Sequence, residues 1–474
     1  MPRQTPLIAL VILSILCSSC SPQAPAAQPA AATQLAAATP AVQASASPAP
    51  TRLAAPGATP TSMPAPEQTS PPQATSILIP EISLQQGDSY FSSSGRQSFI
   101  FVRNLAGYQV GQYTQLLDLM KGKGSQVVRI QLDSMGMGYT QTGELDETWA
   151  KNWEQVFAHA AQDGIDVLPV FAGWFDWNNG NPDYGYSTWE SNPLSGENQG
   201  PATTPGELFR AGSPTQQIWL GWLKKLVERW QGQQNIVAWE IFSEVNLASG
   251  VSEATGVDFV EKSAAVIRAA DPRQRPITAS LAETGEWPSF YRSQAIDFIN
   301  FHPYPSSDQL DTFIIQNVRQ YRAKYQKPVF IGESGLSASP PVENSSTLTT
   351  AKNAKIGIEH AIWAALVSGA MDGRALYWED GFAVFFPKLS WTFLHTYADA
   401  ETQAARFASG VDFAGFQPLD VRLSDKITSA ALGNEKTILG WFRDAGCEPP
   451  DWNLLPVVSK QSVNLNAPGP AATW

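Results

Sequence analysis

Two glutamates stand where a pair of acids could share one reaction. Glu244 closes the run Ile236-Val237-Ala238-Trp239-Glu240-Ile241-Phe242-Ser243-Glu244, and Glu333 closes Pro328-Val329-Phe330-Ile331-Gly332-Glu333. Each follows an apolar stretch of strand length, so each carboxyl is expected at the carboxyl end of a strand. One acid kept protonated by burial and neighbouring negative charge, and a second kept ionised by a cation or hydroxyl donor, suit cleavage of a glycosidic bond. Glu240 lies four residues deeper on the same face and reads as structural, paired with a basic group inside the fold. Other chemistries lack their signatures. The chain holds no H-E-x-x-H or Cys/His pairing for a catalytic metal, no G-x-S-x-G elbow, and no phosphate-cradling glycine loop after its first strand. Neither a metal nor a cofactor is therefore expected.

The elements that must position these acids alternate. Apolar runs of strand length fall at 98–102, 126–132, 165–171, 235–242, 276–280, 295–301, 328–331 and 374–378, with helical spacing of apolar residues between most of them. The last helix falls near 391–396 or 401–407. Eight strand–helix units over roughly 300 residues predict an α/β fold, a closed (β/α)8 barrel rather than an open sheet. The long segment 173–213 after the third strand would then sit on the carboxyl-end face, where such barrels build their sites. Trp174 and Trp177 open that segment, and either stack on a flat ligand or pack the loop.

The pairing of Trp-Glu-Ile-Phe-Ser-Glu on strand four with Ile-Gly-Glu-Ser-Gly on strand seven resembles the retaining glycoside hydrolases of clan A, most closely glycoside hydrolase family 5. Arg129 in Val128-Arg129-Ile130 matches the family's strand-two arginine. His302 and Tyr304 in Asn300-Phe301-His302-Pro303-Tyr304 fit its strand-six His-x-Tyr, and Trp378 falls where it places an aromatic platform. The resemblance covers residues 98 to about 400. It implies that Glu244 is the acid/base and Glu333 the nucleophile, and that Arg129 and Tyr304 hold Glu333. It also implies that His302 donates to the sugar or to Glu244, and that the substrate is a poly- or oligosaccharide. One position departs: Ser243 stands where the family has an asparagine that contacts the sugar 2-hydroxyl. That departure motivates a second reading, a non-catalytic carbohydrate-binding protein on the same barrel. An envelope scaffold on a degenerate barrel is a third.

Composition narrows the setting. The net charge of −12 argues against a nucleic-acid partner, which needs a basic footprint. Residues 1–20 read as a signal peptide: one basic residue (Arg3), an apolar run too short to span a bilayer, then Cys17-Ser18-Ser19-Cys20. Small residues before Cys20 resemble a bacterial lipobox, which makes Cys20 the expected lipidation site and a lipid anchor the one expected membrane contact. Extracellular or envelope localisation follows. In 21–75, 12 Pro, 18 Ala and 12 Ser or Thr leave almost no large apolar surface to bury, so this stretch reads as a disordered tether. The barrel is assigned to 76–410. The remainder, 411–474, reads as a β-rich extension with a hairpin turn at Gly433-Asn434, either covering the barrel or belonging to an incomplete module.

Overall fold

A computed structural model describes residues 9–14, 82–85, 87–93, 95–105, 107–178, 189–282, 286–305, 309–335, 351–373, 392–422, 426–447 and 464–465. Eight parallel strand positions form the barrel: β1 (Ile100–Leu105), β2 (Val127–Gln131), β3 (Asp166–Val170), β4 (Trp239–Glu240), β5 (Ile277–Thr278 and, past Ala279, Ser280–Ala282), β6 (Ile299–His302), β7 (Val329–Ile331) and β8 (Asp372–Gly373). β8 pairs with β1, and the ladder then runs through β2, β3 and β4 to β5. The second half of β5 continues to β6 and β7. The ring closes where Met371 N–H donates to Val329 O and Ile331 N–H donates to the Asp372 carboxylate. β1, β2, β3, β6 and β7 are buried at every position, which is why they read as apolar runs rather than as alternating ones.

Among the described residues eight helices follow in turn: α1 (Val110–Met120), α2 (Glu147–Gln162), α3 (Pro214–Trp230), α4 (Glu253–Ala270), α5 (Pro288–Arg292), α6 (Leu310–Tyr325), α7 (Ala351–Ser368) and α8 (Thr392–Ser409). Their starts are chemically marked. Asp146 caps α2 by accepting from Thr148 and Trp149 N–H, Ser213 caps α3 ahead of Pro214, and Ser252 with Thr255 forms a capping box on α4. The apolar faces they bury are rich in tryptophan: Trp149, Trp153, Trp219, Trp222 and Trp230 form one contiguous aromatic layer. Most of the chain's large tryptophan supply among the described residues is thus core. The final helix, Thr392–Ser409, is one element that takes in 401–407 and the described part of 391–396, between which the sequence left a choice.

β1 is fixed to α8 by a buried ion pair, Arg103 with Glu401, which also takes the Ser125 hydroxyl. Gln417–Leu419, Ile427–Gly433 and Thr437–Asp444, here β9, β10 and β11, form an antiparallel sheet with the expected hairpin. This sheet is docked on the barrel helices. Arg443 of β11 makes a buried pair with Asp311 of α6, Arg319 Nη2 donates to Ala431 O, and Trp441 meets the His360 ring edge-on. Ala9–Ser14 pairs in parallel with Thr437–Phe442 along the other edge of β11. Among the described residues no helix is long and apolar enough to cross a membrane.

Candidate active site

Arg129 is the centre of the carboxyl-end face. It sits in the middle of β2 and is fully buried. Its Nε and Nη2 form a two-pronged contact with Glu240 at 2.7 and 2.8 Å. Nη1 donates to Glu333 Oε1 at 2.7 Å and to Asn104 Oδ1 at 3.0 Å, and Nη2 also donates to Ser243 Oγ at 2.9 Å. All five guanidinium N–H groups therefore have acceptors. Glu240, read as paired with a basic group inside the fold, is completely buried against this cation.

Glu333, two residues past β7, takes Arg129 on one oxygen and the Tyr304 hydroxyl on the other at 2.9 Å. Burial alone would raise its pKa. Electrostatic interactions with His302 and Arg129, with the Tyr304 and Arg129 hydrogen bonds, outweigh burial and hold the carboxyl below its ordinary value. Glu244 is placed differently. Its Oε1 lies 2.9 Å from His302 Nδ1, and that nitrogen is 3.8 Å from Glu333 Oε2. One oxygen of each glutamate and the His302 nitrogen lie within 4.8 Å of one another. Glu244 adopts a left-handed backbone conformation, φ 58°, rare for a residue with a Cβ. Its N–H donates to Ser280 Oγ at 2.9 Å. The strand turns sharply at that point and aims the Glu244 carboxyl across the barrel mouth towards Glu333.

Residues 92–368 match the sequence model of the cellulase family, glycosyl hydrolase family 5. This chain belongs to glycosyl hydrolase family 5. Among solved structures the fold is similar to an endo-1,4-β-mannanase from Rhizomucor miehei, at 14% identity and a TM-score of 0.50, covering 70% of this chain and 100% of that one. It is also similar to a glycoside hydrolase family 5 protein from Bacteroides vulgatus, at 14% identity and a TM-score of 0.54, covering 75% and 79%. No curated protein sequence matches the chain.

In this family 5 barrel, Glu244, Glu333, Arg129, His302, Tyr304 and Ser243 converge on one place. Two positions that the sequence leaves open take a definite place. Ser243, at the position of the family's sugar-contacting asparagine, is buried, and its hydroxyl oxygen accepts from Arg129. The shorter side chain leaves its oxygen beside the guanidinium rather than in the open cleft. Trp177, open between stacking on a ligand and packing the loop, is completely buried and packs against Trp189 at 5.7 Å. Among the described residues of the segment after β3, short 3-10 turns bring Trp189 against that ring. Trp174 is half-buried, and its backbone N–H donates to Ser243 O beside the site. Trp378 and Cys20 lie outside the described residues.

Several residues at the site escaped the sequence reading. Asn104 braces Arg129 and donates to Gly332 O at 2.9 Å. Gln131, two positions beyond Arg129 and so on the same face of β2, approaches Glu333 Oε1 at 3.5 Å. Strand periodicity offered a signal for Gln131, whereas Asn104 had none. Asp133 and Asp176 face each other on the loops after β2 and β3, with the Asp176 carboxyl donating to Asp133. Burial pushes Asp133 up to about 6, against the pull of Asp176, the Gly173 N–H and Arg129. It pushes Asp176 well above the usual carboxylate range, with the Asp133 charge adding to the rise.

Two groupings of ligand-type side chains exist among the described residues: Glu244, His302 and Glu333 at the site, and Asp118, His159 and Asp163 on the outer face of α1 and α2. In the first, Arg129 and Tyr304 already occupy the oxygens of Glu333. In the second, Lys121 pairs with Asp163 and His159 with Asp118.

Proposed function

We propose that this glycoside hydrolase is a retaining β-glycosidase, exported and tethered to the cell envelope, that cleaves an external poly- or oligosaccharide by double displacement. The supporting observation is the approach of the two carboxylates, whose facing oxygens lie within 4.8 Å. Retaining enzymes hold their carboxyl groups about 5–5.5 Å apart, whereas inverting enzymes leave about 6.5–9.5 Å for a water molecule. The unequal surroundings supply the roles. Glu333, held ionised by Arg129 and Tyr304, attacks the anomeric carbon as the bond to the leaving oxygen breaks, and Glu244 gives that oxygen its proton. Ester formation removes the charge of Glu333, which makes Glu244 a stronger acid and prepares it to deprotonate the incoming water. Attack of that water on the anomeric carbon breaks the ester and returns both carboxyls to their starting states. His302 Nδ1, at 2.9 Å from Glu244, fixes the orientation of the acid/base.

A panel of β-mannan, β-glucan and β-galactan tests this reading, with β-mannan first because one similar fold is described as an endo-1,4-β-mannanase. A 2-deoxy-2-fluoro glycoside is expected to leave a covalent sugar mass on the peptide carrying Glu333. Saturable glycan binding without turnover and without that mass would replace the enzyme with the binding-protein reading that Ser243 motivates.

Export rests on residues 1–20 and the tether on 21–75. Cleavage before Cys20 would carry away Ala9–Ser14 and leave Thr437–Phe442 as an open sheet edge. A lipid mass on Cys20, abolished by Cys20→Ala, is the expected result.

A further inference from the structure

Glu240 touches neither the acid/base carboxyl nor the nucleophile, yet it lies at the end of two short arms that reach both. Through one arm it holds Arg129 by two hydrogen bonds, and Arg129 holds Glu333. Through the other it accepts the Ser280 hydroxyl at 3.0 Å, and Ser280 Oγ in turn accepts the backbone N–H of Glu244. That N–H belongs to the residue in the left-handed conformation, so the second arm anchors the turn that aims the acid/base. Glu240, Arg129 and Ser280 are all completely or almost completely buried, so neither arm is shared with solvent.

The charges in this group change during double displacement. Before reaction, one guanidinium lies between two carboxylates, and the trio carries one net negative charge. When Glu333 bonds to the anomeric carbon it becomes an ester and its charge disappears. A buried cation left alone at that moment would destabilise the glycosyl-enzyme strongly. With Glu240 in place, Arg129 keeps a two-pronged carboxylate partner and the trio becomes neutral. The second carboxylate also shares Arg129 in the resting state, so less of its positive charge falls on Glu333 and less nucleophilicity is lost.

We propose that Glu240 is a positioning residue that sets the energy of the covalent intermediate, by remaining the counter-ion of Arg129 while Glu333 is esterified and by anchoring the Glu244 turn through Ser280. The inference rests on the double-displacement reading and assigns Glu240 a part within it.

The test separates the two chemical steps with the 2-deoxy-2-fluoro glycoside. The rate of inactivation measures ester formation, and the rate of reactivation after removing excess reagent measures ester hydrolysis. Glu240→Gln preserves size, removes the charge and leaves one acceptor oxygen where there were two. Its expected result is inactivation at least 10-fold slower and reactivation at least 10-fold faster than wild type, with Glu240→Asp restoring the wild-type ratio of the two rates. A merely structural role would slow both steps together, and that outcome, or two unchanged rates, overturns the proposal. If Glu240→Gln does not fold, a crystal structure of the trapped wild-type enzyme tests the same point. Both Arg129 hydrogen bonds to Glu240 are expected to persist there, and a guanidinium turned away from Glu240 overturns the proposal. Absence of a sugar mass on Glu333 in the wild type sinks the double-displacement reading and this inference together, whereas a normal mass with unaltered reactivation in Glu240→Gln sinks this inference alone.

Discussion

Tyr304 and Arg129 act on the same carboxylate by different physics. The phenol supplies a neutral hydrogen bond to one oxygen, while the guanidinium supplies charge as well as a donor to the other. Removing the phenol leaves the ion pair intact, so Tyr304→Phe isolates the smaller contribution. The Tyr304 hydrogen bond helps hold Glu333 below its ordinary pKa of 4.5, and its loss lets that value rise. The acid limb of the kcat/KM profile is expected to move to higher pH in Tyr304→Phe, as measured with an aryl β-glycoside. The stability linked to Glu333 has a defined sign. Because the folded-state pKa is depressed, the contribution is complete above 4.5 and is lost as the pH falls through the folded value. Glu244→Ala removes the proposed proton donor and should slow hydrolysis of a natural glycan on the order of 10²–10⁴-fold. Azide, which needs no base, should restore turnover of an activated substrate and yield a β-glycosyl azide.

At the scale of elements, two features hold the strand ends in place. Gly332 joins β7 to Glu333 and is enclosed on both sides: Asn104 donates to its carbonyl, and a Cβ there would come 2.0 Å from Asn300 Oδ1. Gly332→Ala is expected to cost about 1–3 kcal/mol through overpacking, read as a lowered denaturant midpoint. It should also reduce activity, because Glu333 is the next residue. The loops after β2 and β3 are joined by the Asp133–Asp176 proton. Asp133 has its pKa raised from 3.8 to about 6, so its contribution favours the folded loops below 3.8 and is lost as the pH rises through about 6. Asp176→Asn keeps a donor facing Asp133 without the shared proton. Its stability should vary less with pH between 4 and 6 than that of wild type, as measured by thermal unfolding. This region was only partly legible in sequence. The long segment after β3 was recognisable as an insertion on the carboxyl-end face, but which of its tryptophans remained open depended on how the insertion closed over itself.

For the whole molecule, barrel closure depends on contacts that join distant parts of the chain. Arg103 on β1 and Glu401 on α8 are separated by almost 300 residues and are both shielded from water. Glu401→Ala would leave Arg103 buried without its carboxylate, at an expected cost of about 3–5 kcal/mol in equilibrium unfolding. The C-terminal sheet is tied on by the same kind of contact, Arg443 with Asp311. His360, beside Trp441, has its pKa lowered to about 3, chiefly by burial with the Arg443 charge adding to it, so it packs as a neutral ring.

Composition and order by themselves determined the first seven strands of the alternation, and with them the ends at which Glu244 and Glu333 stand; the eighth run, 374–378, lies outside the described residues. They could do so because strands buried on both faces require unbroken apolar runs, and helices require apolar residues at their own spacing. Tertiary structure alone decided that Arg129 is shared between Glu240 and Glu333, that Ser243 turns towards the guanidinium, that Trp177 is core, and that Ser280 anchors the turn at Glu244. Each of these depends on the direction of a side chain at a strand end relative to residues scores of positions away. Local pattern carries no record of that direction, because it is set by which neighbouring strand supplies the complementary charge or hydroxyl.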